Sequence, residues 1–400
     1  MITTINNKHN KLNVPNLRFK EFQGEWEELG LSELLDFKNG LNPKPDKFGK
    51  GIKFISVMDI LNNAVITYDC IKASVDVTEK ELSDFSVEKG DILFQRSSET
   101  LEDVGRANVY MDDKTAVFGG FVIRGKKKGE YDPQYFNYLL RSPFARKRII
   151  PMGAGAQHFN IGQEGLSKVK LHFANIEEQK KIGNFLSLLD ERIATQNKII
   201  EDLKKLKSAI IEKLYKEIQG TWYSYRQLFS IINERNKQLE YSNVLSASQE
   251  RGMVSREDLN LDIHFERSNI STYKIVKNGD YVIHLRSFQG GFAFSEKTGI
   301  CSPAYTVLRP HNLLVYGYLS NYFTSRDFVN SLIIVTYGIR DGRSINVDEW
   351  LDMKVVIPSK EQQTHIVNVI ESIENKIKNE ETYSNCLLNQ KQYLLRQMFI

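Results

Sequence analysis

The sequence predicts an α+β fold in which two similar mixed α/β domains lie at opposite ends of an intramolecular antiparallel two-helix coiled coil, with approximate two-fold symmetry. Three observations support this prediction. Landmarks of the first half recur in the second half, two long segments carry a heptad pattern, and an aromatic-rich globular stretch precedes each of them. The predicted boundaries are 1–175 for the first domain, 176–218 for the first helix, 219–358 for the second domain and 359–400 for the second helix.

The internal duplication rests on short landmarks that occur twice in the same order. They are Gln-Gly-x-Trp at 23–26 and 219–222, Gly-Asp at 90–91 and 279–280, Arg-Ser at 96–97 and 286–287, and the pairs Glu178-Gln179 and Gln362-Gln363. The distance between copies falls from 196 to 184 residues along the chain, so the second copy is slightly shorter. Four landmarks in one order predict a tandem repeat of domain and helix.

Each domain is predicted to contain both helices and strands. Apolar runs that follow the Gly-Asp turns predict strands at 91–94 and 281–283. Helices are predicted at 133–150 and 315–334, followed by glycine-containing polar loops at 153–160 and 338–346 and by last strands at 169–173 and 354–357.

Two long segments carry apolar residues at alternating spacings of four and three, which is the heptad pattern of a coiled coil. In the first helix the predicted interface positions are Ile182, Leu186, Leu189, Ile193, Gln196, Ile200, Leu203, Lys207, Ile210 and Leu214. In the second helix they are Ile366, Ile370, Ile373, Ile377, Glu380, Ser384, Leu387, Lys391, Leu394 and Met398. An amphipathic helix that packs only on its own domain is the alternative.

Connectivity and the polar positions favour antiparallel pairing of the two helices. The second domain leaves the end of the first helix and enters the start of the second, and the termini of a domain usually lie close together. In a parallel pair Lys207 would face Lys391 within the interface, which is a like-charge contact. In an antiparallel pair Gln196 faces Ser384, and the two lysines move to opposite ends.

Composition bounds the compartment and the class of partner. The net charge of +4 permits a nucleic acid partner without requiring one. Three scattered cysteines show neither a disulfide framework nor the spacing of a zinc site, which favours a reducing cytoplasm. No signal peptide and no apolar run long enough for a bilayer is visible, so we expect a soluble, intracellular protein.

Catalytic motifs are mostly absent from the sequence. No phosphate-binding loop, no HExxH motif and no cysteine cluster for a metal occurs. The run from Asp132 to Tyr135 is similar to the motif of amino-methyltransferases, but it lacks the second proline and is more typical of a helix start. The pattern of Asp348 with Asp352-Met353-Lys354 is similar to a nuclease carboxylate set, yet such short patterns occur often by chance.

With these landmarks in place, the chain resembles the specificity subunits of type I restriction-modification systems. The resemblance covers nearly the whole sequence and rests on the duplicated Gly-x-Trp openings, Gly-Asp strands and glutamine pairs that lead into heptad helices. The second pair, Gln362-Gln363, departs from the usual Glu-Gln. The resemblance implies two target recognition domains that each read half of a split double-stranded DNA target, with helices that fix the gap.

The resemblance also implies the partners and their chemistry. Two methyltransferase subunits would dock on the helices and carry S-adenosylmethionine for adenine-N6 methylation. Restriction subunits would add cleavage driven by ATP, with magnesium, in a phage defence complex. This chain would be non-catalytic and would bind no cofactor and no metal itself.

Candidate DNA-binding residues are polar side chains on loops that follow strands, because arginine favours guanine and asparagine or glutamine favours adenine in the major groove. In the first domain they are Arg96, Ser97, Ser98, Arg106, Gln157 and His158, with Lys126, Lys127 and Lys128 as phosphate contacts. In the second domain they are Arg286, Ser287, Gln289, Arg340 and Arg343. For each arginine, a structural ion pair is an equal alternative.

Two other functions stay open at this point. The chain could itself be a DNA methyltransferase or nuclease that uses Asp132 or Asp348. It could instead be a coiled-coil adaptor that binds only proteins.

Overall fold

The computed structural model describes residues 2–4, 13–248, 251–256, 267–284, 291–337 and 344–400. The chain divides into two compact units, one formed by 1–197 with 382–400 and the other by 198–381. Each long helix is therefore shared between the units, whereas the sequence predicted the helices as segments separate from the domains. Within the described residues, no helix is both long enough and apolar enough to cross a bilayer.

Helices occur in both units, and two of them are far longer than the rest. The α-helices are Leu31–Leu34, Val57–Asn62, Glu79–Phe85, Pro133–Arg141, Pro143–Ile149, Gln163–Ser167, Ile176–Lys216, Tyr225–Leu228, Arg326–Ser331, Val347–Asp352 and Lys360–Gln397. We call Ile176–Lys216 the first long helix and Lys360–Gln397 the second long helix.

The strands of the first unit are short. They are Ile2–Thr4, Leu17–Phe19, Glu27–Gly30, Leu35–Asn39, Phe48–Ile55, Ser74–Val75, Ser86–Val87, Ile92–Gln95, Ser97–Ser98, Ala107–Val109, Ala116–Phe118, Val122–Lys127, Phe159–Asn160 and Lys170–Phe173. Those of the second unit are Thr221–Ser224, Phe229–Ile232, Leu245–Ser248, Gly252–Ser255, Lys274–Val276, Tyr281–Ile283, Phe292–Phe294, Gly299–Cys301, Thr306–Pro310, Thr336–Tyr337, Ser344–Ile345 and Lys354–Ile357.

Both units contain a four-stranded antiparallel sheet with the same strand order. In the first unit the order is Ala107–Val109, Ile92–Gln95, Val122–Lys127 and Leu35–Asn39. In the second unit it is Phe292–Phe294, Tyr281–Ile283, Thr306–Pro310 and Phe229–Ile232. The shared order confirms that the two units have related folds, and it includes both strands predicted after the Gly-Asp turns.

The Gln-Gly-x-Trp landmark does not mark equivalent positions in the two units. Gly30 and Ser224 both precede a short helix and pair with the last strand of their unit, at Lys170 and Lys354. This equivalence differs by two residues from the sequence repeat. As a result Trp26 is buried, with 3% of its surface exposed, whereas Trp222 is 64% exposed.

The glutamine landmark does mark equivalent positions. Gln179 accepts a hydrogen bond from the Asp132 backbone N–H (3.0 Å) and donates to the Ala174 carbonyl (2.7 Å). In the second unit Gln363 accepts from the Val315 N–H (2.8 Å) and donates to the Pro358 carbonyl (3.0 Å). Each amide thus ties the start of a long helix to the preceding strand and to a loop, and satisfies buried backbone groups there.

The departure at the second pair also has a structural explanation. Glu178 is fully buried and pairs with Arg18, whose Nε and one Nη each donate to a carboxylate oxygen at 2.8 Å. Gln362, at the equivalent place, is exposed. A neutral amide is acceptable there because it faces solvent.

Within the first unit, the predicted coiled-coil residues of both long helices share one core. Ile182, Leu186, Leu189 and Ile193 belong to the same buried cluster as Leu387, Leu394 and Met398. The Ser384 hydroxyl donates to the side chain of Asn197 (2.9 Å). Gln196, the residue before Asn197, is buried. Since the late part of the second long helix meets the early part of the first, the pairing in this unit is antiparallel, as predicted.

The second unit shows the same direction of pairing and one correction. Ile366 and Ile370 are buried in one cluster with Ile211, not with the predicted Ile210, which is only half-buried. The spacing changes here because the end of the first long helix packs into the aromatic core of the second unit. The remaining predicted positions, Ile200, Leu203, Leu214, Ile373 and Ile377, are buried or half-buried.

The two interface lysines both pair with a carboxylate from the other helix. Lys207 lies 2.6 Å from Glu374, and Lys391 lies 2.5 Å from Asp190. The two pairs are equivalent in the repeat, because the lysines Lys207 and Lys391 are 184 residues apart and so are the acids Asp190 and Glu374. Asp190 also accepts a hydrogen bond from the Tyr138 hydroxyl (2.8 Å), which links the helix to its domain. The lysines are thus separated and neutralised.

The Lys207 pair gives a testable expectation for register. Lys207→Glu places two carboxylates together and should lower the free energy of unfolding by about 1 kcal/mol, because exposed pairs contribute little but like charges repel. Adding Glu374→Lys should restore most of the loss, measured by urea unfolding of the chain. Lys205→Glu is the control, since Lys205 pairs only within its own helix, with Glu201 and Asp202. A double variant no more stable than Lys207→Glu would contradict the pairing.

Two predicted helices are wrong in extent. The predicted helix at 133–150 is broken at Ser142, which ends Pro133–Arg141 and caps Pro143–Ile149 through a hydrogen bond from the Ala145 N–H (3.2 Å). Proline at position 143 favours a helix start and removes a donor from a continuing helix. The predicted helix at 315–334 is regular only over Arg326–Ser331.

Candidate nucleic-acid interface

Arg96 lies between the strand Ile92–Gln95 of the central sheet and the short strand Ser97–Ser98. Its N–H donates to the Phe121 carbonyl (2.9 Å), and its carbonyl accepts from the Ile161 N–H (2.9 Å). The guanidinium donates to the Gly120 carbonyl (3.3 Å), so it lies over the adjacent turn. Backbone and side chain are both held, which reduces the entropy lost when such a group binds a ligand.

The strand Ser97–Ser98 pairs with Phe159–Asn160 and brings predicted residues together. Ser98 is opposite Phe159, and Ser97 is opposite Asn160, with the Ser97 hydroxyl donating to the Asn160 side chain. Arg96, Ser97 and Ser98 are therefore next to the loop that was predicted to read DNA.

Gln157 and His158 lie at the exposed tip of this loop. Ala154 and Asn160 exchange two backbone hydrogen bonds (2.9 and 2.8 Å), which closes the loop. Gly155 has a φ of +147°, and a Cβ there would lie 1.9 Å from the His158 carbonyl oxygen, so the closed form requires glycine. The structure thus brings five predicted residues, Arg96 to Ser98 with Gln157 and His158, to one surface.

A second turn, Gly119-Gly120-Phe121, lies beside Arg96. The Gly119 N–H donates to the Ile55 carbonyl (3.0 Å), and the Val122 N–H closes the turn on the Gly119 carbonyl (2.8 Å). The turn contacts the start of another loop, where Leu41 N–H donates to the Phe118 carbonyl (2.9 Å).

Close backbone approach at this turn predicts a strong effect of one glycine substitution. A Cβ on Gly40 would lie 2.0 Å from the Gly119 carbonyl oxygen, which is backbone and must shift. Gly40→Ala should lower the free energy of unfolding by about 1–3 kcal/mol, the usual cost of overpacking. Gly162→Ala is the matched control, because a Cβ there meets nothing within 4 Å. Equal melting temperatures for the two variants would contradict this account.

Arg106 lies beside Gln95, the residue before Arg96, but its guanidinium is already paired. Its guanidinium is 2.6 Å from Asp103, and its backbone pairs with Gln95 (2.7 Å). Burial, with the nearby Arg106 charge as a further cause, lowers the pKa of the Arg146 guanidinium to about 10. Arg146 donates to the carbonyls of Glu102 and Val104 and so fixes the segment that carries Arg106. Arg106 is about half-exposed and remains a candidate phosphate contact.

The three lysines lie elsewhere. Lys126 pairs with Glu88 (3.4 Å) and Lys128 with Asp36 (3.3 Å), while Lys127 donates to the Tyr131 carbonyl (3.0 Å). They occupy the end of the strand Val122–Lys127, and Phe121 precedes its start. At a rise of 3.3–3.4 Å per strand residue, Lys126 lies about 17 Å along the strand from Phe121, the neighbour of Arg96, and Lys127 and Lys128 lie further along. The structure therefore does not place these lysines with the predicted base-reading residues.

The predicted residues of the second unit cannot be placed. Arg286, Ser287, Gln289, Arg340 and Arg343 lie outside the described residues. The segments on either side of Arg340 and Arg343, Thr336–Tyr337 and Ser344–Ile345, pair antiparallel with each other.

The sequence prediction missed three residues at this surface. Asn160 pairs with Ser97, Asn42 lies against Gly120, and Phe121 is 68% exposed. The pair Gly119-Gly120 before an aromatic residue was the available signal, because consecutive glycines mark a turn that approaches other backbone closely.

The aspartates of the enzyme alternatives have structural roles. Asp132 caps the helix Pro133–Arg141 by accepting from the Tyr135 N–H (2.8 Å). Asp352 pairs with Arg226 (2.8 Å), and Asp348 lies 3.9 Å from the same guanidinium. In the described part of the chain, no group of three or more His, Cys, Asp or Glu residues is arranged to hold a metal ion.

Comparison with known proteins finds a family model that is similar to the first half of the chain. Residues 23–205 match the family model described as the type I restriction modification DNA specificity domain. Two proteins of Methanocaldococcus jannaschii named as type I restriction enzyme specificity subunits, MjaX and MjaVIII, are 28% and 23% identical over 200 residues each. These matches cover 49% and 48% of this chain and 46% of each relative, so the alignment spans about half the length of the curated relatives.

Solved structures show the same fold over nearly the whole chain. The S subunit of a type I restriction-modification system from M. genitalium has a TM-score of 0.53 at 16% identity, with 97% of this chain and 99% of that chain covered. A chain from a structure described as the basis of complex assembly and conformational transition of the type I R-M system has a TM-score of 0.60 at 13% identity, with 92% and 96% covered. These likenesses confirm the fold predicted from the sequence resemblance.

Proposed function

We propose that this chain, whose residues 23–205 match the family model of the type I restriction modification DNA specificity domain, is the DNA-binding specificity subunit of a type I restriction-modification complex. The observation that carries the proposal is the recurrence of one sheet order and one glutamine-anchored helix entry in two units. Each unit would read one half of a split double-stranded target. Two related readers in one chain fit a target with two parts better than a single contiguous site.

The surface beside Arg96 is suited to base reading in the first unit. It presents the guanidinium of Arg96 and the hydroxyl groups of Ser97 and Ser98 next to a closed loop that carries Gln157 and His158. Arginine can make two hydrogen bonds to guanine, and glutamine can make two to adenine. Lys126 to Lys128, about 17 Å away along the strand, would at most contact phosphates, which adds affinity but no sequence information.

The chemistry of the complex would belong to other subunits. Two methyltransferase subunits would bind S-adenosylmethionine and methylate adenine, and restriction subunits would cleave DNA with ATP and magnesium. In this chain Asp132 caps a helix and Asp348 lies in an ion pair with Arg226, which supports placing the chemistry on other subunits. The outer faces of the long helices would provide the docking surface for these subunits.

A footprint of the assembled complex tests this function. The chain together with its methyltransferase subunits should protect two short DNA segments separated by an unread gap. Protection of one contiguous site would contradict the two-reader proposal. The purified chain alone, incubated with S-adenosylmethionine and the same DNA, should transfer no methyl groups. Methyl transfer that is lost in Asp132→Ala would instead support the enzyme alternative.

A further inference from the structure

Phe121 is the most exposed aromatic side chain of the first unit among its described residues, with 68% of its surface accessible. It occupies the tip of the Gly119-Gly120-Phe121 turn, directly before a central strand of the sheet. A phenyl ring left in water has a free-energy cost that burial in a complex would remove. An isolated exposed apolar residue is common, so the surroundings of Phe121 decide whether it has a role.

The turn that carries Phe121 is fixed on several sides. A Cβ on Gly119 would lie 2.7 Å from the Phe54 ring, and one on Gly120 would lie 1.9 Å from the Asn42 side chain. The Phe121 carbonyl accepts from the Arg96 N–H, and the Gly120 carbonyl accepts from the Arg96 guanidinium. The ring is therefore presented on rigid backbone and shares that backbone with the leading candidate for base reading.

The equivalent position of the second unit carries no aromatic side chain. Tyr305 corresponds to Val122, because its N–H closes a turn on the Ser302 carbonyl (3.0 Å) as the Val122 N–H does on the Gly119 carbonyl. The residue before it, Ala304, therefore corresponds to Phe121, and it is exposed. The scaffold recurs while the exposed aromatic group does not, which is expected of a position that distinguishes the two halves of a target.

We propose that Phe121 is a specificity-determining residue that packs against the 5-methyl group of a thymine next to the base pair read by Arg96. This inference rests on the proposed function. Apolar side chains, phenylalanine among them, contact the thymine methyl in the major groove, where arginine also reaches guanine. A rigid ring beside a held guanidinium provides both contacts from one turn.

Removal of a single methyl group from the DNA tests the contact. The full chain, assembled with its methyltransferase subunits, is titrated with duplexes that carry its recognition sequence. Each thymine of the half-site read by the first unit is replaced in turn by deoxyuridine, which lacks only the methyl. At one position we expect the wild-type complex to lose about four-fold in affinity, the usual effect of one buried methyl group.

The variants Phe121→Ala and Phe144→Ala complete the test. Phe121→Ala should weaken binding to the thymine duplex and should no longer distinguish uracil from thymine at that position. Phe144→Ala is the matched control, because Phe144 is 38% exposed in the same unit but lies on the helix Pro143–Ile149 and not on the turn. It should retain wild-type affinity and the full uracil effect.

The possible outcomes separate this inference from the proposed function. Wild-type affinity in Phe121→Ala, a uracil effect that persists in it, or a half-site without thymine would overturn the contact. Loss of assembly with the methyltransferase subunits, at an unchanged melting temperature, would assign Phe121 to a protein interface and also overturn it. If the wild-type complex recognises no split target at all, the proposed function itself fails.

Discussion

Glu178→Ala should destabilise the first unit by about 3–5 kcal/mol, the cost of leaving a buried charge without its partner. Glu178 is completely buried, and Arg18 is 4% exposed. Two hydrogen bonds of 2.8 Å join the guanidinium to the carboxylate, and Arg18 also donates to the Gly24 carbonyl (2.6 Å). Without the carboxylate, the guanidinium stays in the core and cannot be rehydrated, so its desolvation is no longer offset.

Chemical denaturation of the chain, followed by circular dichroism, measures this effect. Glu177→Ala is the matched control, because Glu177 is the exposed neighbour that pairs with Lys180 and should contribute about 0–1 kcal/mol. The double variant Arg18→Met with Glu178→Leu should recover much of the lost stability, since an apolar pair needs no compensation. A Glu178→Ala chain as stable as Glu177→Ala would show that the pair is not buried as described.

Arg96→Ala should reduce binding of the assembled complex to its target by about 10–100-fold, because one arginine–guanine pair contributes roughly 1–3 kcal/mol of discrimination. The loss should be confined to targets with the correct base at one position of the first half-site. Arg96→Lys keeps the charge but not the planar pair of donors, so it should retain affinity better than specificity. Binding is measured by fluorescence anisotropy on cognate and single-substituted duplexes at several salt concentrations.

Arg148→Ala is the matched control for this prediction. Arg148 lies in the same unit, is about half-exposed and pairs with Glu28 at 3.6 Å. It should bind every duplex as the wild type does. A uniform loss in Arg96→Ala, with a salt dependence reduced by about one phosphate contact, would mean that Arg96 touches only the DNA backbone.

Local patterns in the sequence were sufficient for the two long helices. The heptad positions Ile182, Leu186, Leu189 and Ile193 are buried, in a cluster that also contains residues of the first domain. Near the other end of the first long helix the buried residue is Ile211 and not the predicted Ile210, because the helix there packs into the aromatic core of the second unit. Arg96 and Gln157 were both named as candidate DNA contacts from local patterns, but their proximity follows from the pairing of Ser97–Ser98 with Phe159–Asn160, which the sequence did not predict.

Features that depend on contacts distant in sequence could not be read from local patterns. The identical Gln-Gly-x-Trp landmarks suggested equivalent tryptophans, yet strand register buries Trp26 and exposes Trp222. Lys126 to Lys128 were named as phosphate contacts of the same domain, and the length of the strand Val122–Lys127 separates them from Arg96. Strand order in the sheets depends on pairings between remote segments, and no local pattern in either domain specifies them.

Sequencing of the DNA methylation of cells with and without the gene tests the central claim most directly. Cells that carry the gene should show a motif of two short specific parts, separated by a gap of unspecified bases, with a methylated adenine in each part. That motif should disappear when the gene is deleted. The same methylation pattern in both strains, or the loss of a motif without a gap, would contradict the assignment of this chain as a two-part DNA reader.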